Sequence, residues 1–185
     1  AYYINYSSVS DLGICTSLLR TRDFRQTEPL GIIFAPDNRD VCLFPEVIGG
    51  KYWALHRPAP AHFGAPGIWI SSSPDLLHWG DHHSLLEAST HGWDQRKVGG
   101  GAPMLRTDKG WLHLAHGVRG CAAGLRYVLY MFMTSLEDPT KVIARPGGHF
   151  LAPYGGEGFG DVSNVTFTNG WVELPDKERT VLMYY

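Results

Sequence analysis

Lys51-Tyr52-Trp53-Ala54-Leu55-His56 is followed by Gly67-Ile68-Trp69-Ile70-Ser71, by the turn Ser73-Pro74-Asp75-Leu76 and by Ser84-Leu85-Leu86-Glu87. Short runs of alternating apolar and polar residues, bounded by Gly, Pro and Asp, predict β-strands, because successive strand side chains point to opposite faces. The same succession stands on either side. Upstream it reads Tyr2-Tyr3-Ile4-Asn5-Tyr6, Leu12-Gly13-Ile14-Cys15-Thr16-Ser17, the turn Thr21-Arg22-Asp23-Phe24, and Leu30-Gly31-Ile32-Ile33-Phe34. Downstream it reads Gly110-Trp111-Leu112-His113-Leu114-Ala115-His116, Arg126-Tyr127-Val128-Leu129-Tyr130-Met131-Phe132, the turn Leu136-Glu137-Asp138-Pro139, and His149-Phe150-Leu151. A fourth copy opens at Thr180. The aromatic strands are thus anchored at Tyr3, Tyr52, Trp111 and Val181, with loops of variable length between them. Several short strands repeated in this way predict the blade of a β-propeller, an all-β fold; a β-sandwich or jelly roll is the competing reading.

Both ends of the sequence fall in strand-like runs, and the first residue is Ala1 rather than Met. Residues 1–185 therefore read as a single partial propeller domain, truncated at both ends, holding about three and a half blades of a ring that needs at least four. Composition narrows the function. With 16 Lys+Arg against 18 Asp+Glu and no basic cluster, the electrostatic footprint of a nucleic-acid binder is missing. No apolar run approaches the roughly 18 residues of a membrane helix. Cys15, Cys42 and Cys121 are odd in number and widely spaced, which argues against a disulfide framework or a zinc site and for a reducing, cytoplasmic setting.

Four basic residues occupy equivalent settings at strand ends or in Gly/Pro loops: Arg39, Arg57, Lys97 and His116. Arg57 and His116 end the first strand of successive repeats, and Arg39 and Lys97 each precede such a strand. Singly, each reads as a solvated or salt-bridged surface residue. Together, around a propeller axis, they read as an oxyanion pocket, since guanidinium groups fork around phosphate oxygens and an ammonium adds a point charge. The six tryptophans offer faces on which sugars stack, yet Trp53, Trp69 and Trp111 fall at inward strand positions and read as core. Asp23, Asp75 and Asp138 share one turn position and read as structural caps. Among Asp37, Asp40, Glu46, Asp94 and Asp161, none stands out as an acid that protonates a leaving group.

Asn38-Arg39-Asp40, Leu43-Phe44-Pro45-Glu46, Leu55-His56-Arg57-Pro58, Ser73-Pro74-Asp75-Leu76-Leu77-His78-Trp79-Gly80, Lys97-Val98-Gly99-Gly100-Gly101-Ala102-Pro103 and His116-Gly117-Val118 together resemble glycoside hydrolase family 130. The resemblance covers essentially the whole chain. It implies a five-bladed propeller, mannoside phosphorylase or mannosidase activity, and Arg39, Arg57, Lys97 and His116 as the phosphate-binding set. That set matches the phosphorylase pattern rather than the hydrolytic one, which argues against a β-mannosidase using water. Ala122 to Tyr130, Gly160-Asp161-Val162-Ser163-Asn164-Val165 and Asn169-Gly170-Trp171 resemble the branch acting on 4-O-β-D-mannosyl-D-glucose. Expected substrate contacts are Asn38, Asp40, His62, Tyr127, Asp161 and Asn164. The resemblance implies no metal and no cofactor, inorganic phosphate being a co-substrate. The expected partners are the disaccharide and phosphate, with a homo-oligomer possible by analogy. The proton-donating Asp is expected upstream of Tyr2, so residues 1–185 alone are expected to be inactive, and a non-catalytic sugar-binding propeller is the alternative. Arg57→Ala is expected to weaken phosphate binding and leave folding intact.

Overall fold

The computed structural model describes residues 1–59 and 64–185. Among them, every regular element but one 3-10 turn, Gly155–Gly158, is a strand. The first sheet is an antiparallel meander of β1 (Tyr2–Ser10), β2 (Gly13–Thr21) and β3 (Thr27–Phe34). The second runs β4 (Asn38–Leu43), β5 (Tyr52–Pro58), β6 (Ile68–Ser73) and β7 (Gly80–Leu86) in chain order. In the third, β8 (Lys97–Gly100), β10 (Trp111–Cys121), β11 (Gly124–Thr134) and β12 (Val142–Ala144) are neighbours, and the short β9 (Leu105–Arg106) also pairs with β10. A hairpin of β13 (Gly170–Glu173) and β14 (Val181–Tyr184) starts a fourth.

Two details depart from the sequence reading. A strand precedes the aromatic one in the second and third sheets, so the complete unit has four strands rather than three. These inner strands, β4 and β8, are short and lack clean alternation, and β8 ends in a glycine run. In addition, the last strand of the third sheet is Val142–Ala144, not His149-Phe150-Leu151; Leu151 makes only an isolated bridge to Leu129.

The sheets pack face to face, and each contact between neighbours is a separate apolar core. Leu18, Ile33 and Phe34 of the first sheet meet Val41, Ala54 and Leu76 of the second. Leu55, Ile68 and Ile70 of the second meet Val98, Trp111, Ala115, Tyr130 and Phe132 of the third. Leu114 and Leu129 of the third meet Trp171, Val181 and Met183 of the fourth. One face of each sheet is thus spent on each neighbour, which is propeller packing and leaves no single central core. Trp111 is fully buried, whereas Trp53 packs at the margin and donates its indole N–H to the Ile48 carbonyl at 3.0 Å.

The repeated turn aspartates are structural. Asp23 Oδ1 accepts the backbone N–H groups of Arg25 and Gln26, and Asp75 Oδ1 accepts those of Leu77 and His78. Asp138 does the same for Thr140. The next residues, Phe24 and Leu76, adopt left-handed φ of 58° and 70°, a conformation those side-chain bonds help to hold. These bonds to the charged form lower the carboxyl pKa of Asp23 and Asp75; at Asp138 the Thr140 hydroxyl leads, ahead of Lys141.

Candidate active site

At the inner edges of the second and third sheets, β4 and β8 bring the predicted basic residues together. Arg39 on β4 stands directly opposite Arg57 on β5. Two like charges in such register repel unless an anion lies between them. The next residue brings an anion to one of the two, Arg57. Between Arg39 and Cys42 the ladder with β5 shifts register, a bulge, and Asp40 within it adopts a left-handed φ of 54°. An alternating strand would point Arg39 and Asp40 to opposite faces. The bulge instead turns the Asp40 carboxylate onto Arg57, whose Nε donates to Oδ2 at 2.5 Å.

Asp40 Oδ2 also lies 3.5 Å from Nε2 of His116, on β10 of the next sheet. His116 faces Gly99 of β8, and Lys97 faces Val118. Any Cβ at position 99 would overlap the Asp40 carboxylate and the His116 ring, so the bare glycine is what lets the two sheets close on one another here. Gly101 is equally constrained, since a Cβ there would strike Thr168. The Lys97 ammonium lies 4.9 Å from the centroid of the Tyr127 ring, a cation–π distance. Tyr127 in turn stacks on His116 at 5.9 Å, and Phe167 covers the imidazole at 4.8 Å.

The result is a continuous cradle of Arg39, Arg57, Asp40, His116, Tyr127 and Lys97. Its charge is unbalanced. Arg57 is matched by Asp40, but Lys97 makes no ion pair among the described residues. Arg39 has only a long contact of 3.9 Å to Asp37 Oδ1, an oxygen that already accepts the Ile14 N–H, and its own buried Nε has no partner. Burial pushes the His116 pKa down to about 4, so the ring is neutral near pH 7. Three cations and one carboxylate, whose Oδ2 is taken by Arg57, therefore line the cradle, an arrangement that accepts an oxyanion.

The other predicted residues divide. Asn38 lies at the head of β4, but its amide pairs with His56 Nδ1 at 3.0 Å, and His56 Nε2 reaches His82 at 3.2 Å. Asn164 contributes backbone, its carbonyl accepting the Tyr127 N–H at 2.9 Å, and so fixes that ring's strand. Asp161 is exposed and makes no hydrogen bond or ion pair with the cradle among the described residues. His62 lies outside the described residues. Glu46 and Asp94 are committed elsewhere, to Arg106 and Arg145. Arg57 is only 5% exposed and paired with Asp40, so its removal strands a largely buried carboxylate and costs stability, contrary to the expectation from sequence. Phe167 is the cradle residue that sequence reasoning missed: it sits in a segment without strand alternation, and nothing local marks it. Among the described residues no cluster of His, Cys, Asp and Glu is arranged to ligate a metal, and no helix is long and apolar enough to cross a membrane.

Inter-blade cores of this kind define a β-propeller, with the basic cradle at the inner edges of its second and third sheets. The family follows from comparison: residues 1–185 match the glycoside hydrolase family 130 model, described as beta-1,4-mannooligosaccharide phosphorylase, and the chain belongs to that family. Its sheets are about three and a half blades of a five-bladed propeller. It is similar to a beta-1,2-mannobiose phosphorylase of Listeria innocua, 42% identical over 100% of this chain and 50% of the relative. It is equally similar to a 4-O-beta-D-mannosyl-D-glucose phosphorylase of Bacteroides fragilis, 42% identical over 96% of this chain and 47% of the relative. The structure of the Listeria innocua enzyme in complex with beta-1,2-mannobiose superposes with a TM-score of 0.92, covering 100% of this chain and 51% of that one. A glycosyl hydrolase from Bacteroides ovatus shares the fold at a TM-score of 0.77 and 19% identity, over 92% of this chain and 54% of that one. The chain thus spans about half the length of the curated relatives it matches.

Proposed function

We propose that the protein catalyses inverting phosphorolysis of a β-mannoside, with Arg39, Arg57, Lys97 and His116 as the phosphate site. The observation that carries this reading is the surplus positive charge of the cradle, in which Lys97 and Arg39 have no close anionic partner among the described residues. Hydrolysis would need no such receptor for an anion. Phosphate held by the two guanidinium groups and the ammonium would be neutralised and aimed at the anomeric carbon. Attack there expels the acceptor sugar and leaves α-D-mannose 1-phosphate. The proton for the departing oxygen is assigned to a carboxylate outside residues 1–185: Asp37, Asp40, Glu46 and Asp94 each hold a hydrogen bond or ion pair, and Asp161 is exposed and bonded to no cradle residue among the described residues. Tyr127 and Phe167 offer ring faces beside the phosphate, where a sugar can stack. Asn38, Asp40, His62, Asp161 and Asn164 are retained as proposed sugar contacts.

The proposed substrate is 4-O-β-D-mannosyl-D-glucose, giving glucose as the second product. The similarity to the Listeria innocua enzyme makes β-1,2-mannobiose the comparison substrate. The test incubates the full-length protein with each disaccharide, with and without inorganic phosphate, and assays mannose 1-phosphate and the free sugar. Phosphate-dependent formation of mannose 1-phosphate is expected, faster with mannosylglucose. Free mannose formed at the same rate without phosphate makes the protein a hydrolase, and no turnover of either compound leaves a sugar-binding propeller.

A further inference from the structure

A second group of cations stands at the end of the third blade where Lys97 enters β8. Arg119 of β10 and Arg126 of β11 face each other directly across the ladder, and both are half-buried. Arg96, exposed, immediately precedes β8 and donates its backbone N–H to the Val118 carbonyl at 2.8 Å. Its Nε lies 4.0 Å from where a Cβ on Gly120 would stand. The three arginines thus form a row across the ends of three neighbouring strands. The exposed His149 completes it. Burial lowers the pKa of that imidazole, and the charges of Arg126 and Arg119 lower it further. Its ring lies 6.1 Å from that of Trp93, which fills the space over Gly117. Gly117 and Arg119, two residues apart, share a face of β10. His116 is three residues from Arg119 and leaves the other face, about 10 Å away along the strand. The row and the cradle share no residue.

Among the described residues, none of Arg96, Arg119, Arg126 and His149 makes an ion pair. Between Asp94 and Glu137 the sequence has a single acidic residue, Asp108, which precedes Trp111 at the opposite end of β10. Asp94 itself is buried and held by Arg145 at 2.8 Å. Like charges directly opposite on two strands destabilise a sheet, so Arg119 and Arg126 form a pair that packing alone does not explain. An anion between them turns repulsion into attraction. Three guanidinium groups exceed the single charge of a carboxylate and suit a phosphate, whose several oxygens accept forked N–H pairs. We infer that Arg96, Arg119, Arg126 and His149 form a second phosphate-binding site, distinct from the cradle, for a phosphate group that is free or carried by a sugar. The proposed reaction supplies both sources, inorganic phosphate as co-substrate and mannose 1-phosphate as product.

The test is calorimetric titration of the full-length protein with inorganic phosphate and, separately, with mannose 1-phosphate. Two sites per chain are expected. Combining Arg119→Gln with Arg126→Gln should weaken one of them about tenfold or more, whereas Lys97→Ala should weaken the other. Tighter binding of the ester at the row identifies a sugar phosphate as the occupant, and equal binding identifies free phosphate. In phosphate-free buffer the double variant should be at least as stable as the unaltered protein, having lost the opposed charges, yet it should gain less stability from added phosphate. Phosphate binding unchanged in the double variant overturns the inference and leaves the cradle standing. A single site that disappears in the double variant and is indifferent to Lys97→Ala overturns the cradle reading and keeps the row. Absence of binding by both compounds overturns the two together.

Discussion

The second and third blades share one plan and use it for opposite ends. Leu55-His56-Arg57 on β5 and Leu114-Ala115-His116 on β10 are equivalent positions of the repeat, and each ends on a cradle residue. What faces them differs. Arg57 stands opposite Arg39, a second cation, whereas His116 stands opposite Gly99, which has no side chain. One blade contributes charge and the other contributes space. The bulge at Asp40 joins the two, leaning a carboxylate out of the crowded blade and into the room above Gly99. Repeat symmetry therefore puts side chains near the axis, and the departures from symmetry make the chemistry.

The largest effect expected from this arrangement is acid sensitivity, because both blades bury neutral histidines. Burial lowers the pKa of His56 and His113 to about 3 and that of His116 to about 4, with His82 lowering His56 further. Each is below its unfolded value of about 6.5, so the unfolded chain binds more protons across that interval. Stability should be level above about pH 6.5 and fall below it by about 1 kcal/mol per pH unit for each histidine, continuing toward pH 4. Asp23, Asp75 and Asp138 act in a separate window. Their lowered values make their stabilisation present above about pH 4 and lost only below it. Urea midpoints measured across this range test the division; equal stability at pH 7 and pH 5 would remove the buried neutral histidines from both blades.

Next in size is the contrast between the two facing arginines. Arg57→Ala leaves the largely buried Asp40 carboxylate without its partner and should cost about 3–5 kcal/mol. Arg39→Ala removes a half-buried cation whose nearest carboxylate oxygen is 3.9 Å away, and should cost about 1 kcal/mol or less. Both variants should lose phosphate affinity. Chemical denaturation of the pair decides the point: equal costs would mean that Asp40 does not depend on Arg57, and the bulge would need another explanation.

How much of this is legible in the sequence follows from where the signal lies. Strands such as β5, β6, β10 and β11 announce themselves because one face is buried against a neighbouring blade and side chains alternate. The turn aspartates are visible because the same short-range geometry recurs in each blade. Inner strands β4 and β8 are not visible in that way, being short edge strands without clean alternation, so the repeat reads as one strand too short. Arg39, Arg57, Lys97 and His116 could be picked out by residue type and repeat position. Asp40 could be picked out too, but its neighbour in sequence is Arg39 and its partner in space is Arg57. That exchange depends on a left-handed backbone angle, which residue type does not announce. The role of Phe167 depends on a contact with β10 made from far along the chain, and nothing near it in sequence marks it.

The space in the third blade is open to the smallest possible challenge, one methyl group. Gly99 is not among the left-handed residues, so alanine suits its backbone and should even gain about 0.4–1 kcal/mol from a less flexible unfolded chain. Against that gain stands overlap of the new Cβ with the Asp40 carboxylate and the His116 ring, neither of which can retreat: Asp40 is held by Arg57 and His116 by the Gly100 carbonyl. Overpacking of this kind costs about 1–3 kcal/mol, so the net change in Gly99→Ala should be a modest loss of stability. Phosphate affinity should suffer far more than stability, since the carboxylate and imidazole forced apart are the wall of the cradle. Gly100→Ala is the natural comparison, because its Cβ would meet Cys42 Sγ and the Asp40 carbonyl at 3.2 and 3.3 Å, contacts that slight adjustment relieves. If the two alanines prove equal in phosphate affinity, the blank position opposite His116 is ordinary strand packing; if only position 99 matters, the missing side chain is part of the site.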